Sequence, residues 1–303
     1  MDNLARQIAE QLEFSPVEAC AACGSDQFES AYRRRFLGHD FHWSRCLHCR
    51  LVFQNPSLRP SSLWAIYNSD FYWLKDGRSE QGHRMGYKDY ARDEAFRLKL
   101  GRQRIRELSK YLSPRSSLLD IGCATGFFLK AAQELGYAAQ GVELSADMAR
   151  FGRQQYGVDI TVADFSQAEM RPASFDAITF WGCDSNFYQP PFARVHQLLK
   201  PGGYVYFNFW DFDHPLRPLL LGDSKILYNS LFCFNRYNTR LLLAQAGFEL
   251  LDMQGEWRWV RLDSALALTG HTRLRNLARQ LGLADSAVWL PCPTGYLVLA
   301  RKR

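Results

Sequence analysis

The stretch Leu118-Leu119-Asp120-Ile121-Gly122-Cys123-Ala124-Thr125-Gly126 decides the fold class. An apolar run ends in Asp-x-Gly, and helical spacing begins directly after Gly126. Glycine at 122 lets the chain turn sharply and lets its backbone approach a ligand closely. Open α/β sheets bind ligands at the carboxyl ends of their strands, where this turn would sit. A dinucleotide loop would read G-x-G-x-x-G, but Ala124 stands at the second glycine and Phe127 at the sixth position. That spacing argues against a nicotinamide-dependent oxidoreductase, and the absence of a Gly-Lys-Ser/Thr continuation argues against a Walker A loop.

Outward from this turn, strand and helix patterns alternate. Strands are expected at 117–121, 140–143, 160–162, 177–181 and 204–209, with helices at 127–135, 146–156 and 192–199. Such alternation predicts a parallel sheet covered by helices on both faces. Further on, Asn238 is expected to cap a helix running to Ala246, with Gly247 at its stop. Strands at 248–253 and 295–300 and a helix at 273–281 follow. Before the sheet, 1–13 reads as an amphipathic helix with Leu4, Ile8 and Leu12 on one face, and 61–113 reads as helical.

Asp-x-Gly-x-x-x-Gly, from Asp120 to Gly126, resembles the cofactor loop of class I S-adenosylmethionine (SAM) methyltransferases. Glu143 closes the second strand, where a carboxylate can accept hydrogen bonds from both ribose hydroxyls. Asp164-Phe165 follows the third strand, and Pro201-Gly202-Gly203 precedes the strand at 204–209. The resemblance implies that Asp164 accepts the adenine amino group and that Phe165 packs on the ring. It assigns the cofactor to Asp120, Gly122, Cys123, Ala124, Gly126, Glu143, Leu144, Asp164, Phe165, Trp181 and Tyr90. It also implies a Rossmann-like, seven-stranded, mostly parallel sheet with an antiparallel last strand.

Cys20-Ala21-Ala22-Cys23 and Cys46-Leu47-His48-Cys49 form two C-x-x-C units. Two such pairs complete a tetrahedral four-sulfur site, the closed geometry of structural zinc, with no open position for a substrate. The run from Cys46 to Pro56 resembles the zinc-bearing lead-in of a methyltransferase subgroup acting on sugars, glycans or secondary metabolites. Tyr72 with Gly86-Tyr87-Lys88-Asp89-Tyr90 resembles that subgroup's helical cover. The likeness fades after 255. Where the subgroup carries Asp-x-Leu-Glu-His, this chain has Trp181-Gly182-Cys183-Asp184-Ser185-Asn186-Phe187-Tyr188, so the Glu-His pair has no counterpart.

The expected organisation is a helix and zinc ribbon over 1–60, a helical cover over 61–115 and the SAM domain over 116–303. The stretch 255–294 is read as a substrate-side insertion, serving as a lid or as a homodimer contact. Catalytic candidates lie after strands four and five: Asp184, Asn186 and Tyr188, then His214, whose ordinary pKa near ~6.5 suits a base. Phe71, Tyr72, Trp73, Phe207, Phe209 and Trp210 are numerous enough to line an apolar or sugar-stacking pocket.

The 303 residues carry a formal charge of +6, unevenly spread. Lys+Arg against Asp+Glu is 7 against 7 over 1–60, 12 against 7 over 61–115, 6 against 11 over 116–213 and 12 against 6 over 214–303. The neutral ribbon argues against RNA binding there, because phosphate recognition wants a basic surface. The basic helix at 97–106 is read as a solvated face that could also meet a phosphate. The expected partner is therefore a small-molecule substrate rather than nucleic acid. An RNA methyltransferase and a non-catalytic SAM-fold scaffold are the competing readings. No run approaches the ~20 apolar residues needed to cross a bilayer, and the charged N-terminus does not read as a secretory signal; a cytoplasmic protein is expected.

Overall fold

The computed structural model describes residues 3–73, 94–217, 228–268 and 272–303. The chain opens with α1 (Asn3–Glu10) and β1 (Phe14–Ser15), then a curled antiparallel ribbon of β2 (Phe28–Phe36), β3 (His39–Cys46) and β4 (Val52–Gln54). β5 (Ser57–Leu58) returns to pair with β1. Pro60 opens α2 (Pro60–Tyr67), a position where its missing N–H costs no helical hydrogen bond. α3 (Asp70–Trp73) and α4 (Glu94–Leu108) follow.

The central unit then alternates β6 (Ser117–Ile121), α5 (Phe127–Glu134), β7 (Ala138–Glu143), α6 (Ala146–Tyr156), β8 (Asp159–Val162), β9 (Phe175–Phe180), α7 (Phe192–Leu198) and β10 (Leu199–Trp210). After β11 (Phe232–Cys233) come α8 (Arg236–Gln245), β12 (Phe248–Arg261), α9 (Leu262–Leu268), α10 (Thr272–Gln280) and β13 (Ala287–Lys302). Seven strands form one sheet in the order β12-β13-β10-β9-β6-β7-β8. All run parallel except β13, which lies antiparallel to both β10 and β12. The seven-stranded, mostly parallel α/β sheet is the one the sequence predicts.

Strand alternation divides the core between the two faces of the sheet. Leu119, Ile121, Ile178, Val205 and Phe207 face one hydrophobic cluster, while Leu118, Ala177 and Tyr206 face the other. Gly101 brings α4 against α5: a Cβ there would stand 3.1 Å from the Phe127 carbonyl oxygen.

Three local expectations change. The helix expected over 192–199 ends at Leu198, because Leu199 is already extended and starts β10. The cap of α8 is Asn235, not Asn238. The Asn238 N–H donates to the Asn235 side chain at 2.8 Å, and the Asn235 N–H donates back to Asn238 Oδ1 at 2.9 Å. This is a reciprocal capping box with Asn in the place of the usual Glu. The strands expected at 248–253 and 295–300 are longer, running to Arg261 and starting at Ala287, so that they continue the sheet as an arm. There 257–261 pairs only with 287–291, beyond the point where β13 leaves β10 at Gly295. Register shifts between Leu250 and Asp252 and between Gly255 and Trp257 break the two-residue pattern that would have revealed it.

The ribbon is tied to later chain. β11 adds to β4, completing a four-stranded sheet in the order β11-β4-β3-β2. Fully buried Trp43 donates from Nε1 to the Ser230 carbonyl at 2.7 Å. Arg45 makes two hydrogen bonds to Asp213, which follows β10. No helix among the described residues is long and apolar enough to cross a membrane.

Candidate functional site

A cavity of about 460 Å³ opens at the carboxyl ends of β6, β7 and β9. Its floor is the turn after β6. Gly122 adopts φ +65°, and a Cβ there would fall 2.9 Å from Cys183 Sγ, so this position needs glycine on both counts. The Gly122 N–H donates to the Val142 carbonyl at 2.8 Å, which holds the turn against β7.

Glu143 ends β7 at the cavity wall and is 5% exposed. The Ala124 N–H donates to its Oε2 and the Ser145 N–H to its Oε1, each at 2.8 Å. Burial raises its pKa, and these amides pull it back down. Each oxygen keeps acceptor capacity for a ligand hydroxyl. Asp164 lies nearby, with Oδ1 accepting from the Ser166 N–H and hydroxyl at 2.7 Å each. Trp181, just after β9, lines the same cavity, and its buried Nε1 has no hydrogen-bond partner among the described residues.

A further wall comes from the N-terminal helices. Leu63 and Tyr67 of α2 and Tyr72 and Trp73 of α3 line it. Asn68 fixes this wall to the β7 loop: its Nδ2 donates to the Leu144 carbonyl at 3.1 Å, and its Oδ1 accepts from the Ala146 N–H at 3.0 Å. The Tyr67 hydroxyl accepts from Asn229 Nδ2 at 2.9 Å, and Asn186 Nδ2 donates to the Asn229 carbonyl at 2.8 Å. Burial raises the Tyr67 pKa well above the ordinary phenol value.

Of the residues expected to hold a cofactor, Gly122, Ala124, Glu143, Leu144, Asp164, Phe165 and Trp181 line this cavity. Three others stand behind it. Asp120 is buried under the turn and accepts from the Thr179 hydroxyl at 2.6 Å; burial pushes its pKa up to about 7. Cys123 packs against Gly141, and Gly126, at φ +77°, packs against Val158 and Ile160. Tyr90 and the rest of Gly86-Tyr87-Lys88-Asp89-Tyr90 lie outside the described residues.

Of the catalytic candidates, Asn186 and Tyr188 line the cavity, whereas Asp184 and His214 do not. Asp184 is 4% exposed, and burial pushes it to about 7 while the backbone amides of Trp210 and Ser185 pull it down. His214 belongs to a local turn: its N–H donates to the Asp211 carbonyl, and its Nδ1 accepts from the Leu216 N–H at 3.2 Å. Among the aromatics, Tyr72 and Trp73 reach the cavity, but Phe207 and Phe209 are fully buried core. The side chain of Phe71 lies outside what is described. Tyr67 and Arg194 were not singled out in the sequence; nothing local marks a tyrosine on α2 as facing a strand end seventy residues later.

The second constellation is sulfur. Cys20, Cys23, Cys46 and Cys49 place their Sγ atoms all within 4.8 Å of one another. Cys20–Cys49 and Cys23–Cys46 stand at 3.5 Å. A tetrahedron with Zn–S near 2.3 Å has sulfur–sulfur edges of about 3.8 Å, so the cluster fits a four-thiolate ion. The two knuckles match. The Gly24 N–H returns to the Cys20 carbonyl and the Arg50 N–H to the Cys46 carbonyl, with Gly24 at φ 73° and Arg50 at φ 61°.

Comparison with known proteins now decides the family. A profile of the methyltransferase domain matches residues 90–285, nearly two thirds of the chain. The chain belongs to the methyltransferase-domain family. A methyltransferase-named protein of Geobacillus sp. (strain WCH70) is 28% identical over 127 residues, covering 37% of this chain and 51% of the relative. A bovine (Bos taurus) protein named tRNA methyltransferase 9B is 25% identical over 138 residues, covering 44% and 30%. The matched part thus spans about half of one curated relative and under a third of the other. Among solved structures, a Haloferax volcanii methyltransferase in complex with the Trm112 methyltransferase activator aligns with TM-score 0.52 at 15% identity, over 70% of this chain and 93% of that one. At that identity the likeness concerns the fold, and the fold of this methyltransferase-domain protein is accordingly the one its loop motif predicts. The cavity lies at the strand ends where such sheets bind ligands.

Proposed function

We propose that this protein is a SAM-dependent methyltransferase acting on a small-molecule acceptor: a sugar, nucleotide-sugar, glycan or specialised metabolite. The observation that carries this reading is Glu143, whose two oxygens are aimed by backbone amides and still able to accept at the wall of the cavity. Glu143 would hold the ribose hydroxyls, the Gly122 backbone would permit close approach, and Asp164 with Phe165 would hold the adenine. SAM supplies its own electrophilic methyl group.

The remaining work for the protein is orientation, since holding reactants in line removes much of the barrier. Tyr67 stays protonated at the pH of the cell, and its hydroxyl, held by Asn229 and Tyr72, would turn its proton to an acceptor oxygen. Asn186 donates to the Asn229 carbonyl and keeps Oδ1 as an acceptor. Together they offer one donor and one acceptor to a neutral hydroxyl or amine. Tyr72 and Trp73 exclude water on the same side. Cys20, Cys23, Cys46 and Cys49 would hold a structural zinc ion remote from transfer. A tRNA acceptor, the substrate class in the bovine relative's name, is the second reading, and the exposed cations of α4 favour it.

Titration calorimetry with SAM, and separately with NAD, tests the assignment. Micromolar SAM binding that Glu143→Ala abolishes is expected. Folded, zinc-loaded protein that binds no SAM would overturn it in favour of a non-catalytic scaffold.

A further inference from the structure

The outer side of α4 does not face open solvent alone. Across a groove of about 700 Å³, its cations look at Trp259 and Trp289 of the arm. Lys99 and Arg106 stand two turns, about 10 Å, apart on one side of α4, and Lys110 lies two residues beyond its end. All three are exposed. Lys99 Nζ sits 3.2 Å from the centre of the Trp259 ring. Arg106 and Lys110 make no side-chain hydrogen bond or ion pair among the described residues. The neighbouring carboxylates are already engaged: Glu134 by Arg102 at 2.8 Å, and Glu107 by the Tyr206 hydroxyl and Gln103.

The facing wall is aromatic. Trp259 and Trp289 are cross-strand partners with ring centres 5.2 Å apart, and Trp257 stacks toward Trp289 at 6.2 Å and 25°. Trp257 is 48% and Trp289 36% exposed. The two walls are locked together at their base. Arg104 donates to Glu256 at 2.7 Å in a nearly buried pair, and Asn208 Nδ2 donates to the other Glu256 oxygen at 3.2 Å.

We propose that this groove binds single-stranded nucleic acid, with phosphates on Lys99, Arg106 and Lys110 and an unstacked base against Trp289 of its aromatic wall. The inference goes beyond the methyl-transfer reading and stands or falls separately from it, because none of these residues lines the cavity. A line of cations beside aromatic rings is what sequence-tolerant single-strand binding requires. A duplex keeps its bases stacked and cannot use the indoles. A bilayer surface cannot enter a concave groove to reach Trp289. A lone diphosphate is shorter than the separation of Lys99 and Arg106.

The test is fluorescence anisotropy of a labelled single-stranded RNA of mixed sequence with full-length, zinc-loaded protein. Three neutralised phosphates predict a salt slope near −2 on logarithmic axes, so affinity should fall roughly twentyfold between 50 and 200 mM salt. Arg106→Glu with Lys110→Glu should weaken binding at least tenfold and flatten that slope by about 1.4. Trp289→Ala should weaken it several-fold, and SAM affinity should stay unchanged in both variants. Both charge changes are on exposed side chains, so they keep the test sound if the tryptophan variant fails to fold. Absence of saturable binding at 50 mM salt, or a charge variant with the wild-type slope, would overturn the proposal. So would equal affinity for duplex RNA, or sedimentation with anionic phosphatidylglycerol vesicles that the charge variant abolishes while RNA is ignored.

Discussion

The cavity and the groove stand back to back and are built in opposite ways. Trp181 lines the cavity, Arg104 lies 4.0 Å over its ring, and Gln103 and Glu107, beside Arg104 in the sequence, line the groove. At the cavity Glu143 is buried and held by backbone amides, and most of the lining is concentrated between 121 and 194. The groove is open, and its two walls come from positions roughly 150 residues apart. A site made by consecutive strand-to-helix turns leaves a pattern in the sequence. One made by a helix and a distant hairpin leaves only composition: an excess of Lys and Arg over 61–115, and tryptophans near 257.

The sharpest way to break this contrast is at Glu143. Glu143→Ala removes the only contact of the cavity expected to grip both ribose hydroxyls and frees the Ala124 and Ser145 amides. SAM affinity is expected to fall at least a hundredfold by calorimetry, while RNA anisotropy stays unchanged. Next in size is the sulfur cluster. Cys20→Ser leaves three thiolates, and zinc should be lost by metal analysis with a large drop in Tm, because metal binding and folding are one free energy in such sites. The ribbon also carries Arg45 to Asp213 and Trp43 to Ser230, so its loss should loosen the later chain as well. Retention of the wild-type Tm without zinc would exclude a structural ion.

These two sites were the most legible features, for a physical reason. C-x-x-C spacing and the Asp120–Gly126 loop are each closed by local turns, and the alternation of strand and helix predicts a parallel core, while its strand order comes from the family resemblance. Legibility stopped where tertiary contact decides. Gly126 and Cys123 belong to the loop motif but serve packing against Val158, Ile160 and Gly141. His214 has the right chemistry for a base, yet its own turn uses it. Tyr67 reaches the cavity only because Asn68 fastens α2 to the loop after β7. The arm was hidden because its register shifts reset the strand period.

Arg104 tests whether cavity and groove are mechanically joined. Removing one partner of a buried ion pair strands the other charge, at a cost of about 3–5 kcal/mol. Arg104→Ala should therefore lower stability by that order in denaturant unfolding, and the double change Arg104→Met with Glu256→Gln should recover most of it. RNA affinity should fall with the single change, since the groove loses the tie at its base. A single variant as stable as wild type would mean that the two walls stand independently.

The smaller effects concern buried acids and the acceptor wall. Asp120 has a native pKa near 7 against 3.8 for an ordinary aspartate, because burial disfavours its charged form. A carboxyl raised in this way binds its proton more tightly when folded than when unfolded. Its contribution is thus fully present below about pH 4 and is lost as pH rises through about 7. Asp120→Asn should flatten the decline in stability across that window as read by unfolding at several pH values; an unchanged slope would place the titration on Asp184, raised to about 7 by the same cause.

Tyr67→Phe is the mildest change and the most discriminating for the acceptor. It deletes one hydroxyl while keeping the ring that packs at 4.7 Å on Tyr72. Asn229 Nδ2 loses its acceptor, which costs about 1 kcal/mol of stability by the usual worth of a hydrogen bond. Because the proposal gives this hydroxyl to the acceptor, SAM affinity should hold within twofold. Once an acceptor is found, KM for it should rise while SAM binding does not. If instead SAM affinity falls in step with Glu143→Ala, α2 serves the cofactor rather than the acceptor, and the donor–acceptor pair formed by Tyr67 and Asn186 would have to be reassigned to holding SAM.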